Sequence, residues 1–422
     1  MKKKTITAAL LMGLALAVSL VFVACNRQSG GSQPTARASG STTPLEIWTM
    51  FTGADGTTFT EMVEAYNNTN PTLRVNHIPI EANDLYLRLQ LAVASGQGVP
   101  DMAMNHIERI ALFQEQNRVV NLAPYLANSP IRRENYNAKA WAMTEIAGGH
   151  YGIPLDVHSY ILWVNWDLYT RYGLRDLDDG VLTWDEVAAT GRRIQATGDP
   201  ITTIGLGWHR VIFLASYAQL GGQLSQNGTD PSFDNAISRQ VLDNFRNMVS
   251  QGWTHKWGED PWRMFLGGEM LYMPEGIWMF NDIRGVGMNA RAYDFPVFDA
   301  ARKGNWTSSH QFTIPTRRTL DNDRIAASLS FMNWIGENSN AWATAGQVPA
   351  HVGGQRGDLR NLPQAFLADY DQELVIHGYK YYGDTVEALD VVLSDMIFSN
   401  ITVDAGLRQA MQEARDRISQ NR

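Results

Sequence analysis

Two alternating patterns of apolar and polar residues follow one another along the first part of the chain. Residues 45–48 and 73–80 alternate with the period of half-buried strands. Residues 59–66 and 85–94 have apolar positions at helical spacing, and residues 99–104 form a short apolar run typical of a buried strand. This β-α-β-α-β order predicts a parallel sheet with right-handed crossovers, in which a ligand lies beyond the carboxyl ends of the strands.

The same two patterns continue to the C-terminus. We expect further strands at residues 153–154, 160–165, 271–273, 293–298 and 312–315. We expect further helices at residues 184–196, 236–250, 324–335 and 403–419. The sequence shows no internal repeat, and two α/β lobes of about 150–200 residues each account for its length.

The N-terminus has the layout of an export signal. Three lysines precede an uncharged, mainly apolar stretch over residues 6–23, and Cys25, the only cysteine, follows directly after Ala24. We interpret residues 1–24 as a lipoprotein signal peptide, Cys25 as the lipidated residue and residues 25–44 as a flexible tether. An uncleaved membrane anchor and simple secretion are the alternatives, and all three place the rest of the chain outside the cytoplasm.

Charge and cysteine content exclude several classes of protein. Loss of residues 1–24, which contain three lysines and no acids, changes the net charge from −8 to −11. A protein this acidic is a poor candidate for binding nucleic acid, because such binding depends on cationic contacts with phosphate. With a single cysteine, the exported chain has no internal disulfide, no thiol catalysis and no cysteine-based metal site.

Several motifs together resemble a known family. They are residues 45–48, the Glu-Ala-Tyr-Asn motif at 64–67, the Thr-Trp-Asp-Glu motif at 183–186 and the Gly-Ile-Trp motif at 276–278. In this order they are similar to extracellular solute-binding proteins, family 1, the sugar-binding subunits of ABC importers. Phe22 departs from that pattern, because it stands where the lipobox usually has Leu.

The resemblance implies an α/β, two-lobed periplasmic-binding-protein-like fold of type II, with the ligand in a cleft between lobes joined by crossing hinge segments. By this analogy, lobe 1 comprises residues 45–154 plus 293–336, and lobe 2 comprises residues 155–292 plus 337–422. It also implies a monomer without enzymatic activity or cofactor. Such a monomer would be lipid-anchored at the membrane and would deliver a carbohydrate to ABC permease subunits and their ATPase.

A sugar site needs aromatic platforms for the ring face and polar side chains for the hydroxyl groups. Phe51 and Asp55 follow the first predicted strand, where by resemblance the loop contacts ligand. Asn105, His106 and Glu108 follow the third strand on the equivalent rim. The alternatives are that Phe51 is packed, that Asp55 caps a helix, and that residues 105–108 are an exposed polar loop.

Two further polar candidates, Asp156 and His158, follow the Gly-Ile-Pro motif at 152–154, where the chain is expected to cross between lobes. His310 precedes a short predicted strand and is expected to face lobe 2. Polar groups on a crossing strand lie at the floor of the cleft, so we expect them to contact ligand. A structural hydrogen bond to the backbone is the alternative for His158.

The aromatic candidates come from lobe 2. Trp208 and His209 precede a predicted helix whose N-terminal amides can bind a hydroxyl group. By resemblance, Trp278 is the stacking aromatic after Gly276. Tyr381 represents the aromatic cluster at 379–382, of which one ring is expected to stack on ligand. Core packing is the alternative for each of these aromatic residues.

The sequence contains no H-E-x-x-H, G-x-S-x-G or Walker motif. An exported polysaccharide hydrolase stays an alternative, because acids for a carboxylate pair are plentiful. A binding protein for glycerol phosphate or polyamine is a second alternative. We expect no metal site, since the histidines lack metal-ligand spacing. Joint metal binding by His106, His158, His209 and His310 stays a lesser hypothesis, because all four lie on segments predicted near the cleft.

Overall fold

The computed structural model describes residues 43–369, 374–375 and 379–421. The signal peptide, Cys25 and almost all of the predicted tether therefore lie outside the described residues. No helix within these ranges combines the length and the hydrophobicity needed to span a membrane.

The strands, in chain order, are β1 (Leu45–Thr49), β2 (Val75–Pro79), β3 (Met102–His106), β4 (Glu145–Ile146), β5 (Gly149–His150), β6 (Ile153–Pro154), β7 (Asp156–Asn165), β8 (Thr202–Ile204), β9 (Met270–Gly276), β10 (Ala290–Tyr293), β11 (Asn305–Ser308), β12 (His310–Thr313), β13 (Val348–Pro349) and β14 (Leu374–Val375).

The α-helices are α1 (Ala54–Asn67), α2 (Ala82–Ser95), α3 (Ile107–Glu115), α4 (Ala123–Leu126), α5 (Ala138–Ala142), α6 (Trp166–Arg171), α7 (Trp184–Thr197), α8 (His209–Gln219), α9 (Ala236–Ser250), α10 (Pro261–Leu266), α11 (Phe280–Gly285), α12 (Asn322–Glu337), α13 (Asn340–Thr344), α14 (Tyr382–Ile397) and α15 (Val403–Asn421). Short 3₁₀ helices occupy Arg133–Asn135, Ile277–Met279, Asp358–Asn361 and Pro363–Asp369.

Two main sheets organise the described chain. The first sheet has the order β2-β1-β3-β12-β6, with β1 parallel to both β2 and β3, as the sequence pattern predicts. The second sheet has the order β14-β11-β7-β9-β8, and β10 and β13 also pair with β7. Separate hydrophobic cores, one around Phe59 and Phe312 and a larger one around Phe213 and Leu389, cover the two sheets.

Local signals explain where the best-predicted helices begin. Thr183 accepts a hydrogen bond from the Glu186 amide, and the Glu186 carboxylate accepts one from the Thr183 amide, which forms a capping box before α7. The predicted range 236–250 matches α9. The strand predicted at 293–298 is wrong in its bounds: β10 ends at Tyr293, and residues 294–298 form no strand.

The chain passes between the two sheets at Leu155 and again at Ser309, because β6 and β12 belong to the first sheet while β7 and β11 belong to the second. β12 runs antiparallel to β3, with His310 opposite His106. The start of β12 and the end of β3 therefore lie at the same sheet edge, next to the passage from β6 to β7. The family resemblance implies a lobe boundary at residue 293, and the lobe boundaries stay a prediction.

Candidate functional site

Asp156 is the centre of a polar cluster at this edge. It is fully buried, and its carboxylate accepts four hydrogen bonds. The donors are Nδ1 of His158 at 3.0 Å, Nδ1 of His310 at 2.7 Å, the His310 backbone amide at 3.0 Å and Nε1 of Trp342 at 2.7 Å. A carboxylate with this many donors holds both rings in a defined orientation.

Three imidazoles meet at this point. The ring centroid of His310 lies 4.2 Å from that of His158 and 5.1 Å from that of His106, and the centroids of His106 and His158 are 5.8 Å apart. One nitrogen from each ring lies within 4.8 Å of one from each of the others. Nδ1 of His106 is 2.5 Å from the hydroxyl oxygen of Tyr86, so all three Nδ1 atoms have a hydrogen-bond partner.

Burial decides the protonation of this cluster. Desolvation lowers the pKa of His158 to about 4 and that of His106 well below its usual value, and His310 acts in the same direction on both. Burial alone would raise the pKa of Asp156. The His310 ring and the hydrogen bonds from both histidines outweigh it, so the pKa of Asp156 lies below its ordinary value. Around neutral pH, Asp156 is thus a buried anion beside the neutral rings of His106 and His158.

A second feature is a cavity of about 510 Å³ that opens on the second sheet. Its wall includes Trp208, Trp257, Trp262, His209, Asp260 and Glu275. Trp208 is 49% exposed and Trp257 is 61% exposed, which is unusual for the largest apolar side chain. The cavity therefore presents aromatic faces to solvent beside a small number of polar groups.

Trp208 has an uncommon backbone conformation. With φ 46° and ψ 58° it lies in the left-handed region, where a bulky side chain is strained. It directly precedes α8 and offers no side-chain cap to that helix. The strained backbone places an indole at the mouth of the cavity instead of a small capping residue.

Trp278 lies between the histidine cluster and the cavity. Its ring centroid is 5.7 Å from that of His158 and 6.1 Å from that of Trp208. A Cβ atom on Gly276 would lie 2.2 Å from the Trp278 ring, so only glycine allows the ring to fold back over the end of β9. This contact gives a physical reason for the Gly-Ile-Trp motif.

The remaining predicted residues divide between the two features and the interior. Phe51 is buried beside the histidine cluster, where its ring stands edge-on to that of His310 with 4.8 Å between the ring centroids. Asp55 is half-buried in the first turn of α1. Burial raises the pKa of Asp55, and His310 acts against this rise. His209 lines the cavity, and burial lowers its pKa to about 4.

Three predicted residues have partners elsewhere. Asn105 is buried, and its side-chain amide donates to Thr313 at 2.6 Å. Glu108 is buried beside β11, where its carboxylate accepts a hydrogen bond from Ser308 at 2.8 Å, and desolvation raises its pKa to about 7. Tyr381 packs in a separate cluster with Leu112 and Ile418.

Sequence reasoning missed Tyr86, Trp342, Trp257 and Trp262. Tyr86 and Trp342 lie on helices α2 and α13, where they looked like ordinary core residues, and only the tertiary contacts reveal their polar partners. Trp257 lies in the loop before α10, and Trp262 lies in the first turn of that helix. Trp257 was an available signal, because exposed loop tryptophans are uncommon.

Comparisons with known proteins agree with this architecture. A family model described as bacterial extracellular solute-binding protein matches residues 52–304, more than half of the chain. The arabinooligosaccharide-binding protein of Bacillus subtilis (strain 168) is 24% identical over 233 residues, which cover 54% of this chain and 50% of that protein. The match thus spans about half the length of this curated relative.

Two solved structures show the same fold. UgpB from Mycobacterium tuberculosis in complex with glycerophosphocholine has a TM-score of 0.79 at 17% identity, covering 90% of this chain and 99% of that chain. The sugar-binding protein MalE from Xanthomonas citri has a TM-score of 0.74 at 19% identity, and the match covers 90% of this chain and 98% of that chain. The predicted α/β, two-lobed binding-protein fold is confirmed.

Proposed function

The chain belongs to the bacterial extracellular solute-binding proteins, and from this membership we propose that it is the substrate-binding protein of an ABC importer for a carbohydrate. Members of such a family act outside the cytoplasm. The finer statement, that lipid on Cys25 holds the chain at the membrane, is part of the proposal and rests on the sequence of the export signal.

The observation that carries the proposal is the row of aromatic rings along the second sheet. Trp208 and Trp257 are exposed in the wall of the cavity, and Trp278 lies 6.1 Å from Trp208. Aromatic faces bind the C–H face of a sugar ring, while nearby polar groups bind its hydroxyls. Asp260 and His209 are polar groups in the same wall.

The proposed mechanism is hinge closure. A ligand that contacts both lobes favours the closed form over the open form, and the permease recognises the closed form. The chain passes between the sheets at Leu155 and Ser309, beside Asp156 and His310, so these segments are the candidate hinges. In this proposal the protein is a monomer that makes and breaks no covalent bond.

Oligosaccharides of arabinose are the first ligands to test, since the curated relative is an arabinooligosaccharide-binding protein. Isothermal titration of the exported chain against arabino-, manno- and malto-oligosaccharides, glycerol phosphate and spermidine would identify the solute class. Saturable binding of an oligosaccharide that is recovered intact would support the proposal. Release of shorter sugars would establish the hydrolase alternative instead.

Trp278→Ala tests the assignment of the site. We expect about 10- to 30-fold weaker binding of the identified sugar, because a central aromatic contributes about 1.4–2 kcal/mol to binding. Trp334→Ala is the matched control, since Trp334 is half-buried on α12 and packs on Tyr66 in the core of the first sheet. Equal affinity of the Trp278→Ala variant and the control would show that the ligand lies elsewhere.

A further inference from the structure

The geometry points to a metal site: we propose that His106, His158 and His310 together bind one divalent first-row transition metal ion through their Nε2 atoms. The three residues come from β3, β7 and β12, and they are separated by 52 and 152 positions in the sequence. No short motif could reveal such a set. The fold alone brings the three rings to one point.

The spacing of the rings matches a single ion. With metal–nitrogen bonds of about 2.0–2.1 Å, three imidazoles on a tetrahedral ion have ring centroids roughly 5 Å apart. The centroid distances here are 4.2, 5.1 and 5.8 Å. One nitrogen of each ring lies within 4.8 Å of one nitrogen of each of the others, so these atoms need to approach by at most about 1.5 Å to reach the separation of roughly 3.3 Å in such a complex.

The hydrogen bonds on the far side of each ring leave the correct nitrogen available. A ligating histidine usually uses its other ring nitrogen for a hydrogen bond to a carboxylate or a similar partner, which fixes its orientation. Here Nδ1 of His158 and Nδ1 of His310 both bond to Asp156, and Nδ1 of His106 bonds to the hydroxyl of Tyr86. Within the described part of the chain, Nε2 of each ring is the remaining coordination atom.

The surroundings also suit a cation. Asp156 is a buried negative charge directly behind two of the three rings, and it compensates part of the charge of a divalent ion. Two neighbours face the rings without competing as donors: Phe51 stands edge-on to His310, and Trp278 stands edge-on to His158.

The ligand set indicates the class of ion. Three imidazoles favour Zn²⁺, Cu²⁺ and Ni²⁺ over Ca²⁺ or Mg²⁺, which prefer oxygen. Three protein ligands leave a fourth position for water or for an oxygen atom of a solute. The inference does not depend on the proposed sugar site, because it rests on residues of the histidine cluster alone.

The test begins with the exported chain treated with EDTA and dialysed. Titration with Zn²⁺ should show one ion bound per chain, with a rise in melting temperature that EDTA reverses. Co²⁺, used as a spectroscopic probe in place of Zn²⁺, should give the intense visible absorption of a four-coordinate site. Absence of stoichiometric Zn²⁺ binding, or a cobalt spectrum typical of six-coordinate aquo ions, would overturn the proposal.

Variants assign the ligands. His158→Gln and His310→Gln should each weaken Zn²⁺ binding at least 100-fold, and Asp156→Asn should weaken it about 10- to 100-fold through its two histidines. His77→Gln is the matched control, because His77 lies on β2 with both ring nitrogens bonded to Thr49 and Thr60. Equal Zn²⁺ affinity in all four variants would place the metal elsewhere.

A second measurement uses the unaltered protein and therefore does not depend on the folding of the variants. In the unaltered protein, one equivalent of Zn²⁺ should shift the imidazole NMR signals of His106, His158 and His310, while the signals of His77 stay in place. Unshifted signals of these three rings in the presence of bound Zn²⁺ contradict the assignment. Sugar binding is measured separately, so a failure of the metal site is distinguishable from a failure of the carbohydrate proposal.

Discussion

Asp156 in the histidine cluster and Glu275 in the tryptophan-lined cavity are both buried carboxyl groups, yet at pH 7 Asp156 is ionised and Glu275 is protonated. Asp156 accepts four hydrogen bonds, from two imidazoles, an indole and a backbone amide, and its pKa is lowered. Glu275 accepts a hydrogen bond from the Gly276 amide at 2.8 Å, and desolvation raises its pKa to about 8.

The difference shows that the neighbouring groups, rather than burial, decide the charge of a buried acid. Burial disfavours the anion at both positions, and only at Asp156 do the donors and the neighbouring His310 ring outweigh it. The region around Asp156 is therefore organised for a cation. The region around Glu275 is neutral at pH 7, and its protonated carboxyl group is able to donate to an uncharged solute such as a sugar.

The largest expected effect concerns the four donors around Asp156. Asp156→Asn should lower the free energy of unfolding of the metal-free protein by about 3–6 kcal/mol, because two donors lose a charged acceptor worth about 1.5–3 kcal/mol each. Urea unfolding at pH 7 measures the change. Asp178→Asn, an exposed acid near Arg175, should cost less than about 0.5 kcal/mol. Similar losses of unfolding free energy in both variants would show that the donors around Asp156 do not stabilise the fold more than an exposed ion pair does.

The next effect is the pH dependence of stability that Glu275 causes. Its pKa rises from 4.5 in the unfolded chain to about 8 in the folded protein, so between these values the folded state binds more protons. Stability therefore falls as pH rises through this window, by at most about 1.4 kcal/mol per pH unit.

Between pH 7 and 8 Glu275 contributes the larger share of the loss, because Glu108, whose pKa is about 7, has already released about half of its proton at pH 7. Urea unfolding at pH 7 and at pH 8 should show a loss in the unaltered protein that Glu275→Gln removes. Glu108→Gln is the control, and this variant should still lose most of the stability that the unaltered protein loses between pH 7 and pH 8. An unchanged slope in Glu275→Gln would show that Glu275 is ionised like Asp156.

The smallest effect concerns the strained tryptophan of the cavity. Trp208→Gly should raise the free energy of unfolding by about 1 kcal/mol, because a left-handed backbone strains a bulky residue and does not strain glycine. The same variant should bind the identified sugar several-fold more weakly. Trp257→Ala, a control for stability at an exposed residue with an ordinary backbone, should change it by less than about 0.5 kcal/mol. A gain in affinity in Trp208→Gly would exclude a role as a platform.

Much of the fold was predictable because its signals are local. The period of apolar residues located β1, α1 and α9, and the Thr183–Glu186 capping box marked the start of α7 within a span of four residues. The prediction failed at residues 294–298, where apolar side chains pack against α7 without forming a ladder. A local apolar pattern indicates burial, but it does not show which strand, if any, lies alongside.

The sequence by itself determined the order of the first three strands and the two helices between them, the family resemblance and the residue types available for a site. Only the tertiary structure decided that His106, His158 and His310 meet, that Trp342 and Tyr86 complete their hydrogen bonds, and that Asp156 is charged while Glu275 is protonated. The reason is physical: element type depends on neighbours a few residues away, whereas a pKa and a ligand set depend on groups that only folding brings within about 3–5 Å of one another.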